Sequence, residues 1–234
     1  AAGLRHAGGA VLNADDPLVF DLAGSASATR FFGASAAIRA SMPADSNLYG
    51  SGDLPGPGVD LAIRLDRSEP DGGGRAVTFS VGDSSLEVRL QVPGTYNGYN
   101  AAAALCAAGV LGVAPESAVR ALEGLRPAFG RGQVIEYRGR RIKLLLVKNP
   151  AGFNQAIRLL GEEEAGAAVL VAINDLDADG RDVSWLWDAR VEDLTGSGHS
   201  FGTTGIRAYD MALRLKYAGI EAWSEPDFTA ALQR

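Results

Sequence analysis

The sequence predicts an α/β protein whose second half carries a doubly wound, mainly parallel β-sheet. Three observations lead to this fold class. Strand-like and helix-like segments alternate after Val134, as in folds built from β-α-β units. The run Ala167–Ile173 is continuously apolar, which is typical of a strand buried on both faces. Residues 207–218 have a helical pattern that ends at Gly219, a residue favoured just beyond a helix.

A domain boundary is predicted near Pro127, which divides the chain into residues 1–126 and 127–234. In the first domain, residues 61–90 contain apolar segments around Gly-rich turns and favour a small antiparallel sheet. Residues 33–60 lack periodicity and indicate a surface loop or an insertion. The predicted elements are strands at Ala10–Asn13, Thr29–Phe32, Leu61–Leu65, Ala76–Val81 and Leu86–Leu90, and helices at Leu18–Leu22, 100–110 and Pro115–Leu125.

The second domain alternates between strands and helices. In an open sheet of this kind, ligands bind in the crevice at the carboxyl ends of the strands, so site residues are expected in the segments that follow strands. The predicted elements are strands at Val134–Tyr137, Ile142–Val147, Ala167–Ile173 and Ile220–Trp223, and helices at Asn154–Leu160 and Arg207–Ala218.

The composition and net charge exclude some classes of protein and argue against some binding partners. The chain has 234 residues, 47% of them hydrophobic, and a net charge of −6, which excludes a disordered protein. This acidic balance, without a Lys/Arg run, argues against nucleic acid and anionic membrane. One cysteine, Cys106, cannot form an internal disulfide; it fits a cytoplasmic protein and a buried core position. No apolar run is long enough to span a membrane. The sequence begins with neither an initiator Met nor a signal-peptide pattern, so we expect a chain that starts mid-domain.

The first candidate site is the turn before the Ala-rich helix. Pro93 and Gly94 lead into a helix start, and Asn97 and Asn100 stand three residues apart. Free backbone N–H groups at a helix start suit an anion, and an Asn amide can both donate to and accept from an adenine edge. The alternative is that one of these asparagines simply caps the helix.

Two further candidates could also contact a nucleotide. Arg131 is flanked by glycines and is free to reach a phosphate or a ribose; the alternative is a solvated loop residue. Lys148 and Asn149 directly follow the predicted strand Ile142–Val147, where a positive charge and an amide suit a nucleotide. Ordinary β-to-α turn chemistry is the alternative for this pair.

The fourth candidate is an acidic segment that follows the buried strand Ala167–Ile173. Its four aspartates repel one another, so positive charge must offset them. Arg181 can supply part of that charge, and a metal or a partner's cationic group can supply the rest. A solvated acidic loop is the alternative. The four aspartates are Asp175, Asp177, Asp179 and Asp182.

This acidic segment imitates the start of an EF-hand calcium loop, in which alternating Asp residues precede Gly180. We reject a calcium loop because its twelfth position is Leu186 rather than Glu, and because a strand rather than a helix precedes it. Trp185 and Trp187, just beyond, are interpreted as core anchors. The sequence has no G-x-x-x-x-G-K-[ST] phosphate loop, and its two histidines lack metal-ligand spacing.

Taken together, the motifs resemble the Mur ligase family. Those in the family's order are LNADDP at 12–17, VPGTYNGYNAAAA at 92–104, FGRG at 129–132 and NP at 149–150. Those that resemble its MurT branch are VKNPAGFNQAI at 147–157, NDLDADGRDVSWLWD at 174–188 and GIRAYDMALRLKYAG at 205–219. The resemblance implies a remnant of a Mur ligase central domain over 1–126 and a Rossmann-like C-terminal domain over 127–234.

The resemblance also implies a function in peptidoglycan synthesis. It implies a cytoplasmic ligase subunit that uses ATP and Mg²⁺ at the inner face of the membrane and pairs with a GatD-type glutamine amidotransferase. ATP would activate the D-glutamate of the lipid II stem peptide, and ammonia from glutamine would convert it to D-isoglutamine. By motif, Asn97 and Asn100 match the adenine-side asparagines, Arg131 matches the nucleotide-binding arginine and Asn149 lies on the hinge that lines the nucleotide. Asp182 lies in the motif that carries the functional aspartate of MurT.

The sequence departs from the family in two respects. The phosphate loop and its Lys are missing, so ATP hydrolysis by this chain alone is not expected. The four-Cys zinc ribbon that MurT proteins often carry, near residues 33–60 here, has no ligands in this sequence. Two alternative functions stay open: a non-catalytic docking module for a GatD-type glutaminase, and another Mur or folylpolyglutamate-type ligase. The second would lack the DADGRDVSW segment.

Overall fold

The computed structural model describes residues 8–42, 59–127 and 130–234. Its fold is mixed α/β, as the sequence predicts. The chain divides into two compact units between Leu144 and Leu145. Each unit has its own sheet and its own hydrophobic core.

The first unit is a mixed sheet covered by helices. Its strands are β1 (Ala10–Asn13), β2 (Thr29–Ala34), β3 (Leu61–Asp71), β4 (Gly74–Val81) and β5 (Ser84–Leu90), with the separate pair β6 (Arg131–Tyr137) and β7 (Arg140–Leu145). Its helices are α1 (Pro17–Phe20), α2 (Ala36–Ser41), α3 (Thr95–Val110) and α4 (Pro115–Glu123). The main sheet has the order β1-β2-β3-β4-β5. The antiparallel sheet predicted for residues 61–90 is therefore part of a larger sheet, because β3 also pairs in parallel with β2.

Strands β6 and β7 lie between the predicted boundary near Pro127 and the division found between the units. Within the first unit, the start of β6 packs closely against Pro93. A Cβ on Gly132, whose φ is +84°, would lie 2.4 Å from Cδ of Pro93. Only glycine fits both that backbone conformation and that close approach.

Helix α3 lies directly against the main sheet. Ala101, Ala102 and Leu105 are at most 5% exposed, and a Cβ on Gly98 would come within 2.8 Å of Cδ2 of Leu65. The small side chains of this helix therefore allow the close packing that its Ala-rich composition favours. Cys106 is buried in the same core, as predicted, and burial raises the pKa of its thiol.

Helix α2 falls inside residues 33–60, which the sequence indicates as a loop. It starts at a conventional cap, where the backbone N–H of Ile38 donates to Oγ of Ser35 at 3.4 Å. The rest of that predicted loop, residues 43–58, lies outside the described residues. The position expected for a zinc ribbon therefore falls largely outside them too.

The second unit has a parallel sheet, as the sequence predicts. Its elements are α5 (Pro150–Gly161), β8 (Ala168–Ala172), β9 (Ser200–Thr204), α6 (Ala208–Tyr217), β10 (Ala222–Ser224) and α7 (Phe228–Ala231). The strand order is β10-β9-β8, with every pair parallel. Met211 and Leu215 of α6 are fully buried in its core together with Phe153 of α5.

The central strand, β9, is absent from the sequence prediction. Thr203 and Thr204 are both fully buried in it. The hydroxyl of Thr203 donates to Oγ of Ser224 at 2.9 Å, which satisfies a polar group in the sheet interior. Trp223 covers the strand, since a Cβ on Gly202 would lie 2.3 Å from its ring.

Candidate functional site

The connection between β8 and β9 carries the acidic segment. Asp182 lies in it, two residues before a 3-10 turn that spans Ser184–Trp187. The backbone N–H of Ser184 donates to Oδ1 of Asp182 at 2.8 Å. This N–H, and after it the Ser184 hydroxyl, lowers the pKa of Asp182 below its ordinary value. The exposed carboxylate is therefore ionised at neutral pH.

A surface cavity of about 310 Å³ opens beside Asp182. The acidic connection forms one wall, and the start of α6 supplies Arg207 and Asp210 to the other. Both walls belong to the second unit. Asp182 is therefore accessible to a ligand or to a partner's side chain. The remaining lining residues are Arg181, Val183, Ser184, Leu186 and Trp187.

Two arginines offset part of the acidic charge. Arg181 pairs with Asp177 at 2.8 Å, as the sequence suggests. Arg207 pairs with Asp175 at 3.5 Å and with Asp210 at 3.0 Å. Nothing in the local sequence identifies Arg207 as a site residue, because it is far along the chain from Asp175 and only the adjacency of β8 and β9 brings the two together. In the described part of the chain, Asp182 forms no ion pair, so its charge remains available.

The two tryptophans beyond the acidic segment differ in their environments. Trp185 packs against the core, with its ring centroid 6.1 Å from that of Phe153. Trp187 is 50% exposed and contacts Tyr217 edge-on at 5.5 Å between centroids. The interpretation as a core anchor is therefore wrong for Trp187. With three residues per turn, side chains two positions apart in a 3-10 segment point in different directions, about 120° apart, so one ring packs inward while the other is half-exposed.

Asn97 and Asn100 lie on the first turns of α3 and are linked to each other. Nδ2 of Asn97 donates to the carbonyl of Pro93 at 2.6 Å, and Nδ2 of Asn100 donates to Oδ1 of Asn97 at 3.1 Å. The N-cap is Gly94, with φ at +88°, and no side chain caps this helix. Neither asparagine therefore has the capping role that the sequence left open. Asn100 is exposed.

The two predicted cationic residues are both exposed. Arg131 is the first residue of β6, and its guanidinium has no hydrogen bond or ion pair with any residue in the described ranges. Lys148 precedes α5 in an exposed loop. Asn149 caps α5, where its Oδ1 accepts a hydrogen bond from the N–H of Gly152 at 2.7 Å.

The predicted nucleotide residues are divided between the units. Asn97, Asn100 and Arg131 are in the first, whereas Lys148 and Asn149 are in the second. Their convergence on one nucleotide stays a prediction.

The described residues, 8–42, 59–127 and 130–234, contain neither a metal-binding cluster nor a membrane-spanning helix. Within these ranges, no group of three or more His, Cys, Asp or Glu side chains is arranged to hold a metal ion. No helix in them is long and apolar enough to cross a membrane.

Sequence relatives support the resemblance. Residues 146–233, almost the whole second unit, match the family model described as MurT ligase C-terminal. The subunit MurT of lipid II isoglutaminyl synthase (glutamine-hydrolyzing) from Streptococcus pneumoniae is 34% identical over 137 residues, which is 58% of this chain and 31% of that protein. The matched part thus spans about a third of this relative. By these matches, residues 146–233 are similar to the C-terminal part of MurT.

Solved structures support the fold. UDP-N-acetylmuramoylalanyl-D-glutamyl-2,6-diaminopimelate–D-alanyl-D-alanyl ligase from Acinetobacter baumannii is similar with a TM-score of 0.67 and 18% identity, over 96% of this chain and 44% of that one. MurF ligase from Thermotoga maritima in complex with ADP has a TM-score of 0.61 and 18% identity, over 98% and 53% of the two chains. At this identity the likeness shows a common fold alone. The chain therefore shares its fold with about half of each of these two ligases.

Proposed function

We propose, from the correspondence of this chain to the C-terminal part of MurT, that it is part of the ligase subunit of a glutamine-using amidotransferase. The reaction is conversion of the D-glutamate of the lipid II stem peptide to D-isoglutamine, at the cytoplasmic face of the membrane. ATP phosphorylates the α-carboxyl group, and ammonia displaces the phosphate. The observation that carries the proposal is the match over residues 146–233, which includes the cavity with Asp182.

Asp182 is the proposed catalytic residue of this unit. Its carboxylate is ionised, exposed and free of ion pairs with the described residues, and it lies on an open cavity. A glutaminase subunit of the GatD type supplies a Cys–His pair, and the imidazole of such a pair works best when a carboxylate orients it. Asp182 performs that role across the subunit boundary or holds the ammonia path. Its alternative role is to position the acyl phosphate through a metal ion.

ATP is the proposed nucleotide. The guanidinium of Arg131 has no partner among the described residues, and the exposed Asn100 can still accept a hydrogen bond; both properties fit a nucleotide. Lys148 and Asn149 are also proposed to contact ATP, and the side chain of Asn149 caps α5 as well. Mg²⁺ would be held chiefly by the nucleotide phosphates and water.

The test is reconstitution of the complete gene product with a GatD-type glutaminase subunit, lipid II, ATP, Mg²⁺ and glutamine. Mass spectrometry distinguishes the amidated from the acidic stem peptide. We expect amidation that requires both subunits and ATP. Binding of the glutaminase without amidation would favour the docking module instead. Addition of an amino acid in place of ammonia would favour another Mur or folylpolyglutamate-type ligase.

A further inference from the structure

The connection that carries Asp182 has little regular structure of its own. Between β8 and β9 it contains only two short 3-10 turns, Ser184–Trp187 and Val191–Leu194. Backbone carbonyls in such a segment need hydrogen-bond partners when they are buried. Leu186 and Ala189 are both at most 2% exposed, so their carbonyl groups have little access to water.

Arg214 of α6 supplies those partners. Its Nε donates to the carbonyl of Leu186 at 3.0 Å, and its Nη2 donates to the carbonyl of Ala189 at 2.6 Å and to Glu192 at 2.8 Å. The Arg214 side chain is 4% exposed, whereas that of Glu192 is 59% exposed. The buried guanidinium is therefore held by two backbone carbonyls and by one carboxylate that faces solvent.

The same guanidinium also supports Trp187. Its Cζ lies 5.6 Å from the centroid of the Trp187 ring, within the range of a cation–π contact. Tyr217, one turn along α6 from Arg214, contacts the same ring edge-on. Helix α6 thus fixes the direction in which a half-exposed tryptophan faces the cavity beside Asp182.

Burying a guanidinium is costly, and an apolar side chain of similar volume is often at least as stabilising. What the arginine offers is a rigid fork whose N–H groups reach several acceptors at once, which the ammonium of lysine cannot reproduce. We infer that Arg214 is a positioning residue that fixes the Asp182–Glu192 segment on α6. Its consequence for amidation rests on the proposed function.

Arg214→Lys in the reconstituted complex is the test, with fluorotryptophan labelling to follow Trp187. Trp187→Phe assigns the Trp187 signal among those of the other tryptophans. Below the melting temperature, Arg214→Lys should shift or broaden that signal and slow amidation about ten- to a hundredfold, because small misplacements of a catalytic group have effects of this size. Arg190→Lys is the matched control: Arg190 lies in the same segment but is 64% exposed, and it pairs with Asp193.

Phe201→Leu, on β9, separates positioning from general stability. It should lower the melting temperature while leaving the Trp187 signal and the amidation rate at wild-type values. The inference is overturned if Arg214→Lys leaves the Trp187 signal unchanged. It is also overturned if Phe201→Leu lowers the melting temperature as much as Arg214→Lys does and slows amidation by the same factor. If the wild-type complex does not amidate lipid II, the proposed function fails, and the Trp187 signal still decides whether Arg214 positions the segment.

Discussion

The phenol of Tyr99 on α3 donates a hydrogen bond to Oδ2 of Asp15 at 2.9 Å. Asp15 lies in the turn after β1, and its side chain is 9% exposed. The same carboxylate accepts the backbone N–H of Ala34 at 2.7 Å and pairs with Arg39 at 3.3 Å. One buried carboxylate therefore joins β1, β2, α2 and α3 at the edge of the first unit.

Tyr99→Phe should destabilise the first unit by about 1–3 kcal/mol, because it removes one hydrogen bond to a charged, buried acceptor. Urea unfolding at neutral pH measures the change. Tyr209→Phe is the control, since Tyr209 is 67% exposed and should leave the unfolding midpoint unchanged. Equal midpoints for Tyr99→Phe and the wild type would show that water replaces the bond at no cost.

Alkaline pH should weaken the first unit through the same residue. Burial, and after it the charge of Asp15, raises the pKa of Tyr99, so the folded state keeps the phenol neutral. In the unfolded chain a tyrosine ionises near pH 10. The stabilising effect is therefore complete below about pH 10 and is lost as the pH rises further. Urea unfolding at pH 8 and 11 should show a smaller loss of stability for Tyr99→Phe than for the wild type; parallel losses would contradict this.

Gly202→Ala should destabilise the second unit by about 1–3 kcal/mol, the usual cost of overpacking. The added Cβ would lie 2.3 Å from the ring of Trp223, so the ring or the strand must move. Gly161→Ala is the matched control, at the end of α5 with no atom within 4 Å of the new Cβ. It should be neutral or stabilising by up to about 1 kcal/mol, because Ala favours helix. Thermal unfolding compares the two, and a Gly202→Ala variant as stable as the wild type would refute the packing.

The sequence predicts elements well where composition and pattern agree. Ala167–Ile173 is a continuous apolar run and becomes β8, and the Ala-rich segment after Asn97 becomes α3. Strand β9 was missed because Ser200–Thr204 contains one large apolar residue and two threonines. Those threonines are buried by parts of the chain distant in sequence, which a local pattern does not contain.

The candidate site was only partly predictable, for a similar reason. The position of Asp182 after a buried strand follows from local sequence, and so does the role of Arg181 in offsetting part of the acidic charge, which its pairing with Asp177 confirms. Arg207 directly precedes α6 and Arg214 lies on it, and their partners are 22 to 32 residues earlier in the chain. Their contacts depend on how α6 packs, so no local motif identifies them.

In the complete protein, Arg131→Ala should weaken ATP binding by roughly 1.5–3 kcal/mol, about 10- to 150-fold, because a charge-assisted hydrogen bond is lost. Calorimetry measures the affinity. Arg138→Ala, at the turn between β6 and β7, provides a control with the same change of charge. Unchanged affinity for Arg131→Ala would exclude the residue from the nucleotide site.

The amidation rate of Asp182→Asn in the complete complex is the most direct measure of whether Asp182 is catalytic. The asparagine keeps an oxygen to accept the N–H of Ser184 and removes only the charge. Asp179→Asn makes the same change in an exposed residue of the same segment that does not line the cavity. We expect both complexes to assemble, Asp179→Asn to amidate lipid II normally, and Asp182→Asn to lose about 10²- to 10⁴-fold. Loss of glutamine hydrolysis as well would identify Asp182 as the histidine-orienting group, and loss of amidation alone would identify the acyl-phosphate role. Amidation at the wild-type rate by Asp182→Asn would show that Asp182 is not catalytic and that the acidic segment is a solvated loop.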